Sequence, residues 1–290
     1  MRVKIELGDW LKSARMRLGD RSETPTLEAE LLVSHVLGRY RTWVASHPEF
    51  ILDPGSLDRL DQLLDRLTYG EPLPYLLGHW EFFGHDFCVN QDVLIPRPET
   101  ELLVETALGW LRAHPNSRRV IDVGTGSGCI AISLASALSQ VNLIATDISF
   151  KALQVAQVNM DRLLTHPKLQ FIQTDLLNSL SGPFDLIAAN LPYIPDNKLA
   201  SLKVAEYEPR LAFAGGRDGL QLIKTLLLQS PARLATPGCI LLEIEFEQGQ
   251  QASSLASQVY PRAVISVLPD LSGLPRLLKI ETHENRNTTH

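Results

Sequence analysis

Between residues 3 and 70 apolar positions recur every three or four residues. One stripe holds Trp10, Leu11, Ala14 and Leu18, the next Leu27, Leu31, Leu32, His35 and Val36, and a third Leu57, Leu60, Leu63, Leu64 and Leu67. Each block opens near a capping residue or a proline, most clearly at Thr24-Pro25 and Asp53-Pro54. This spacing predicts a small bundle of four helices. The Glu71-Pro72-Leu73-Pro74 stretch breaks the pattern, and residues 79–95 then alternate apolar and polar around Gly84, as a β-hairpin does. Pro96-Arg97-Pro98 closes this linker.

From residue 99 onward, helical and strand periods alternate. Helices are expected at 99–113, 127–138, 149–163, 218–235 and 247–258, and strands at 118–124, 141–147, 169–174, 185–190, 239–246, 262–268 and 276–281. Residues 191–217 show no periodicity. Strands that alternate with helices imply a parallel sheet covered on both faces. The last two strands are joined through Pro269–Pro275 without room for a crossover helix, so they must pair antiparallel. The expected organisation is a helical domain over 1–75, a hairpin linker over 76–98, an α/β domain over 99–283 and a polar tail over 284–290.

An apolar content of 44% in 290 residues supports a sizeable core, and the net charge is −6. The charge is uneven: the first 95 residues hold 10 Lys/Arg against 15 Asp/Glu, which leaves no basic domain to track phosphates. The N-terminal residues mix charges with apolar positions and do not read as a secretory signal, and no segment has the length of a membrane span. Cys88, Cys129 and Cys239 are scattered and odd in number, which fits a reducing cytosol. His79 and His85 have no Cys or acid at ligand spacing, so they are read as packing or surface residues and no metal is expected.

Candidate chemistry begins at Asp122-Val-Gly124-Thr-Gly126-Ser-Gly128, between a β-branched strand and an Ala/Leu-rich helix. Glycines permit close backbone approach and φ > 0, and the helix N-terminus behind them offers free N–H groups. The spacing is G-x-G-x-G; the third glycine of a dinucleotide fingerprint would fall at Cys129. Asp147 ends the second strand, where a carboxylate can accept both hydroxyls of a ribose. Asp175 and Leu176 end the third, beside the place of an adenine, and Asp122 points from the first strand toward the cradle. Any α/β protein puts Gly at strand–helix turns and Asp at N-caps, so each signal alone is weak; glycine, acid and acid in order are more specific.

Asn190-Leu191-Pro192-Tyr193 follows the apolar run 184–190. An amide or exocyclic amine is a poor nucleophile because its lone pair is delocalised. The Asn190 side-chain oxygen and the Leu191 carbonyl can fix its two hydrogens and aim the nitrogen at a methyl donor. Tyr193 is placed to stack on the planar acceptor. As a bare sequence, Asn-x-Pro is also an ordinary turn former.

The glycine loop and its acids resemble those of class I S-adenosylmethionine-dependent methyltransferases, whose Rossmann-like sheet also ends in an antiparallel pair. The Asn190–Tyr193 turn resembles the Asn-Pro-Pro-Tyr motif of the members that act on planar nitrogens, with Leu191 in place of the first proline. Residues 71–84, 94–105 and 208–220 look like the PrmC/HemK protein-(glutamine-N5) methyltransferases, and with the two motifs the resemblance covers nearly the whole chain. It implies a donor site that also takes in Thr125, Ser127, Ile148 and Asn190, and an acceptor site of Asn190, Leu191, Pro192 and Tyr193, with Arg97 and Glu99 to Glu101 beside it as its wall; prolines that stiffen a linker and acids that start the next helix account for that stretch equally well.

The same resemblance implies methylation of the glutamine in the Gly-Gly-Gln motif of class I peptide-chain release factors, with the helical domain helping to hold that partner. Glu208 and Arg210 in the long loop are further candidates to touch substrate. A cytoplasmic monomer with no direct nucleic-acid or membrane contact is expected. Two alternatives stay open: an RNA or DNA amino-methyltransferase, and a non-catalytic S-adenosylmethionine-binding regulatory protein.

Overall fold

The computed structural model of the protein describes residues 4–199 and 206–283. The chain divides into two compact units between Gly78 and His79.

The first unit pairs β1 (Ile5–Glu6) with β2 (Ile51–Leu52) beside helices α1 (Leu7–Leu18), α2 (Pro25–Leu37), α3 (Arg41–Ser46), α4 (Pro54–Thr68) and α5 (Leu73–Leu77). The starts of α2 and α4 follow from local chemistry. Pro25 and Pro54 have no N–H to leave unpaired, and Asp53 Oδ1 accepts from the backbone N–H groups of Gly55 and Ser56 at 3.0 Å each. Leu7, Trp10, Leu11, Ala14 and Leu18 bury one face of α1, and Trp10 Nε1 donates to Asp61 on α4 at 2.9 Å.

Two expectations for this unit need correction. The buried stripe of α2 runs through Ala29, Leu32 and Val33, with His35 exposed and Leu27 and Leu31 only half buried. The proline-rich stretch after Glu71 also does not end helical structure. Pro72 and Pro74 occupy the N-cap and first turn of α5, where prolines are tolerated, and Gly78 closes it with φ 76°.

The second unit opens with the hairpin of β3 (His79–Phe82) and β4 (His85–Cys88), turned through Phe83 and Gly84 at φ 51° and 74°. Phe82 and Phe87 on this hairpin are fully buried in the same core as α6 (Glu101–Ala113). Then come β5 (Arg119–Val123), α7 (Cys129–Ala137), β6 (Asn142–Asp147), α8 (Phe150–Leu163), β7 (Leu169–Gln173) and β8 (Phe184–Ala189). The short helix α9 (Asp196–Leu199), α10 (Gln221–Gln229), β9 (Leu234–Glu243), α11 (Gly249–Val259), β10 (Val264–Pro269) and β11 (Pro275–Thr282) complete it.

The seven-stranded sheet runs β10-β11-β9-β8-β5-β6-β7. The strands from β9 to β7 are mutually parallel, while β11 is antiparallel to both β9 and β10. Alternate residues of β5 feed two cores: Val120 faces the one built with α6 and α7, and Ile121 and Val123 face the one built with α10 and α11. Burial on both faces is why the parallel strands read as nearly continuous apolar runs.

The largest shift of a strand from the sequence expectation is at β9, expected over 239–246 and found over Leu234–Glu243. The helix expected to reach 235 ends as α10 at Gln229, and β9 begins at Leu234. The sequence places 234–235 at the end of that helix and 236–238 in no element, yet Leu234 pairs with Phe184 across a register irregularity, where a residue without an N–H such as Pro237 is tolerated.

The order of the sheet reverses where β5 lies between β6 and β8, and in open α/β sheets that reversal places the ligand crevice at the carboxyl ends of the strands. Residues 206–219 fold back over this crevice. Ile194 N donates to Phe213 O at 3.0 Å, and Gly215 N donates to Ile194 O at 2.9 Å. Gly219, at φ 77°, lies so close to the turn after β8 that an added Cβ would fall 2.2 Å from Tyr193 O. Among the described residues no helix is long and apolar enough to cross a membrane.

Candidate active site

A cavity of about 290 Å³ opens over the ends of β5, β6, β7 and β8. Gly124, Thr125, Gly126, Ser127, Asp147, Ile148, Asp175, Leu176, Asn190, Leu191, Pro192 and Arg97 all line it. Asp122, Gly128, Tyr193 and Glu99 sit outside the lining, and each has a different place.

The glycine loop is bent by φ values of 76°, 56° and 83° at Gly124, Gly126 and Gly128. The backbone N–H groups of Gly124 and Thr125 both donate to Thr146 O at 2.8 Å, which ties the loop to β6. Gly128 caps α7 from the left-handed region and packs under Ile132 and Ala156, so its role is in helix packing. Gly126 is different: a Cβ there would meet nothing within 4 Å, so open space lies against bare backbone. Asp147 holds the loop from β6, taking Gly126 N on Oδ2 at 2.9 Å and Ser149 N on Oδ1 at 2.8 Å. Burial raises its pKa, opposed by these backbone donors.

Asp122 is fully buried beneath the loop, where Oδ2 accepts from Thr125 Oγ1 at 2.6 Å and from Ala131 N at 3.2 Å, while Oδ1 has no hydrogen-bond partner among the described residues. Burial is the main cause that pushes its carboxyl up to about 7, and the nearby charge of Asp147 adds to it. Cys129 lines the cavity, but burial pushes its thiol up to about 12, so it is no nucleophile at neutral pH.

At the far wall, Leu176 takes φ 50° after β7, which turns its buried side chain into the lining beside the exposed Asp175 and Ile148. An apolar slot edged by a carboxylate suits a planar base with polar edges. Asp147 offers acceptor oxygens at the end of β6 in the cavity lining, and the bare backbone at Gly126 admits close contact. The residues present therefore fit an adenosine-type donor.

The turn after β8 supplies the opposite wall. Asn190 Nδ2 donates to Thr100 Oγ1 at 3.0 Å. Leu191 is buried and rests on the glycine loop. Tyr193 stands behind the wall: its hydroxyl donates to Glu243 Oε1 at 3.3 Å, and its backbone oxygen accepts from Gln248 Nε2 at 2.9 Å. Burial, then the charge of Glu243, holds the Tyr193 phenol protonated. Glu243, only 2% exposed at the end of β9, is itself pushed by burial to about 7.

Arg97 reaches the cavity and pairs with Glu208, whose side chain is fully buried and whose second oxygen accepts from Ile95 N at 3.0 Å. Glu208 thus joins the long loop to the segment before α6. Glu99 is exposed in the 3₁₀ turn Pro98–Thr100, and Arg210 starts the 3₁₀ turn Arg210–Ala212 outside the lining. Among the described residues no group of three or more His, Cys, Asp and Glu could hold a metal ion.

Two residues that matter here, Glu243 and Asn159, carried no sequence signal as site residues, and the bond that Thr100 makes carried none either. Thr100 and Glu243 fix the turn, and the buried Asn159 donates to Ser127 O at 2.9 Å and to Cys88 O at 3.0 Å while accepting from Cys88 N at 2.7 Å. Only partners remote in sequence reveal them.

Residues 9–78 match the family model described as the PrmC N-terminal domain, and residues 98–207 match the methyltransferase small domain. A release factor glutamine methyltransferase of Bordetella pertussis is 42% identical over 87% of this chain and 93% of its own length. The chain belongs to the release factor glutamine methyltransferase family. A second member of that family, from Nitratidesulfovibrio vulgaris, is 37% identical over 92% of both chains. A methyltransferase from Pyrococcus furiosus superposes with a TM-score of 0.50 over 77% of this chain and 99% of its own at 13% identity, a likeness of fold alone. The fold is that of the S-adenosylmethionine-dependent methyltransferases, preceded by the helical unit typical of the family.

Proposed function

We propose that the protein transfers a methyl group from S-adenosylmethionine to the side-chain amide nitrogen of the glutamine in the Gly-Gly-Gln motif of class I peptide-chain release factors. The observation that carries this reading is the shared cavity: a glycine cradle with its acids on one wall and the Asn190 turn on the other. Family membership agrees with it.

Gly126, Asp147, Ile148, Asp175 and Leu176 would hold the donor, which supplies an electrophilic methyl on a sulfonium centre. Asn190 Oδ1 and the Leu191 carbonyl accept the two hydrogens of the glutamine amide and aim its nitrogen. The rate gain comes from orientation against an activated methyl, and the proton shed by the nitrogen passes from these acceptors to solvent. The flat apolar faces of Pro192 and Leu191 exclude water from one side of the amide. The phenol of Tyr193, held toward Glu243, braces the turn and takes no proton.

In this reading the helical unit grips the release factor. An excess of acids in the first 95 residues supports a protein partner over a phosphate backbone. The protein acts as a cytoplasmic monomer.

The test is to incubate the purified protein with methyl-labelled donor and release factor, the same factor with its glutamine replaced, or RNA and DNA. Label is expected in the intact factor alone. Label only in nucleic acid, or donor binding without transfer to any acceptor, would overturn the reading.

A further inference from the structure

The inward face of α8 holds Ala152, Leu153, Val155 and Ala156, and one polar residue, Asn159, which is completely buried. A buried amide is costly unless its ends are hydrogen-bonded, so its partners define what it joins. Oδ1 accepts from Cys88 N at 2.7 Å, and Nδ2 donates to Cys88 O at 3.0 Å and to Ser127 O at 2.9 Å. One end of the amide meets an N–H and the other meets two carbonyls, so only one orientation satisfies it. All three partners are backbone atoms, which no side-chain rotation can withdraw.

Those atoms belong to two walls of one cavity. Ser127 sits between Gly126 and Gly128 in the glycine loop and lines the cavity. Cys88 ends β4, and the chain that leaves it supplies Gln91, Asp92, Val93, Leu94, Pro96 and Arg97 to the same lining. Residues 89–97 form neither helix nor strand, so this strap has no ladder of its own to hold it. Its far end is tied by Glu208, which accepts from Ile95 N at 3.0 Å and pairs with Arg97. Near its start, Asp92 lies 3.4 Å from Lys151, but the lysine side chain is 74% exposed and such a pair adds little. Val89 and Val93 are buried, yet apolar packing is non-directional and sets no register between strap and loop. The Asn159 amide does.

We infer that Asn159 is the positioning residue of the donor site, fixing the strap 89–97 against the glycine loop so that the two bind the donor as one surface. The inference rests on the proposed reading of the glycine loop as the donor's cradle. It gives the chain that follows the hairpin a task in donor binding. Asn159 reaches the reaction only through the backbone of Ser127 and Cys88, so it should affect donor and demethylated product alike and spare turnover once the donor is bound.

The experiment compares wild type, Asn159→Ala, Asn159→Asp and Asp147→Asn as full-length proteins. It follows calorimetry with S-adenosylmethionine and S-adenosylhomocysteine, steady-state methyl transfer to release factor, and amide hydrogen exchange. Asn159→Ala removes all three bonds, so Kd for donor and product is expected to rise about tenfold or more, with kcat at saturating donor within about threefold and KM for release factor within about twofold. Asn159→Asp keeps the size but can donate at most one hydrogen where two are needed, so its donor Kd should rise at least about threefold; a role of packing alone would leave it unchanged. In wild type, S-adenosylhomocysteine should slow exchange in peptides 86–97 and 124–130 together.

A donor Kd for Asn159→Ala within about twofold of wild type, or a loss confined to kcat, would overturn the inference. So would protection of 124–130 by the product with 86–97 unchanged, a result that needs no variant to fold. The two levels separate through Asp147→Asn: normal donor affinity in both Asp147→Asn and Asn159→Ala removes the cradle itself, whereas a weakened Asp147→Asn beside a normal Asn159→Ala removes the positioning role alone.

Discussion

Leu191 rests on Gly124: a Cβ at position 124 would lie 3.0 Å from Leu191 Cδ2, closer than ordinary contact, on a backbone already at φ 76°. The two walls of the cavity therefore touch at this point. Gly124→Ala should strain the loop and push Leu191 outward together, costing about 1 kcal/mol or more of stability and weakening donor binding several-fold. Chemical denaturation and calorimetry check both halves, and an unchanged donor affinity would contradict the contact.

Leu191 also bears on stability by itself. Its side chain is buried among Val123, Leu220 and Leu242 in the core on the α10 side, so Leu191→Ala should cost about 2–4 kcal/mol. A loss under about 1 kcal/mol in denaturant titrations would mean that the turn is held by other contacts.

Asp147→Asn keeps size and shape but replaces one acceptor oxygen with a donor, facing it toward either Gly126 N or Ser149 N. Donor affinity should drop at least tenfold while the fold survives. Calorimetric titration with S-adenosylmethionine and its demethylated product measures this, and equal affinities in the two proteins would remove Asp147 from the donor site.

Glu243 and Asp122 make stability depend on pH in an unusual direction. Burial raises both carboxyls to about 7 in the fold, from ordinary values of 4.5 and 3.8. Between those values and about pH 7 the folded chain holds protons that the unfolded chain has released. Their contribution to stability thus falls as pH rises through that window and levels off above it. Glu243→Gln should flatten part of this slope and gain stability relative to wild type as pH goes from about 5 to 8. Urea midpoints across that range test it; parallel curves for the two proteins would show that the carboxyl titrates normally.

Glu208→Ala should leave Arg97 and Ile95 N without their buried partner. A loss of about 2 kcal/mol is expected, lower than for a fully enclosed pair because the Arg97 side chain is 33% exposed. Turnover should fall mainly through KM for the release factor, since Arg97 lines the cavity and is proposed to serve its acceptor side; a normal KM would limit Glu208 to stability.

The parallel sheet, its antiparallel close and the glycine loop were legible because each leaves a local mark: a β-branched run, a period change, or a glycine where φ must be positive. The start of β9 was not, because Pro237 and Gly238 signal a turn whereas the pairing of Leu234 with Phe184 is decided from across the sheet. For the same reason the sequence could rank Asn190 highly and set residues 99–101 beside the site, yet say nothing of the bond between Asn190 and Thr100, 90 positions apart. Glu208 shows the opposite failure. A charged residue in a long irregular loop suggests substrate contact, and only burial against Arg97 and Ile95 reveals a brace.

The cradle hangs from β5 and the Asn190 turn from β8, two strands paired side by side from Val120 with Leu186 to Val123 with Ala189. The roots of the two walls are thus held roughly 4.8 Å apart, the spacing of neighbouring strands, whatever the loops above them do. What loops can alter is which molecule fits in front of those roots. Leu94 and Leu211 line the cavity from outside the sheet, so changes there can reshape its mouth while the strand ends beneath stay in register.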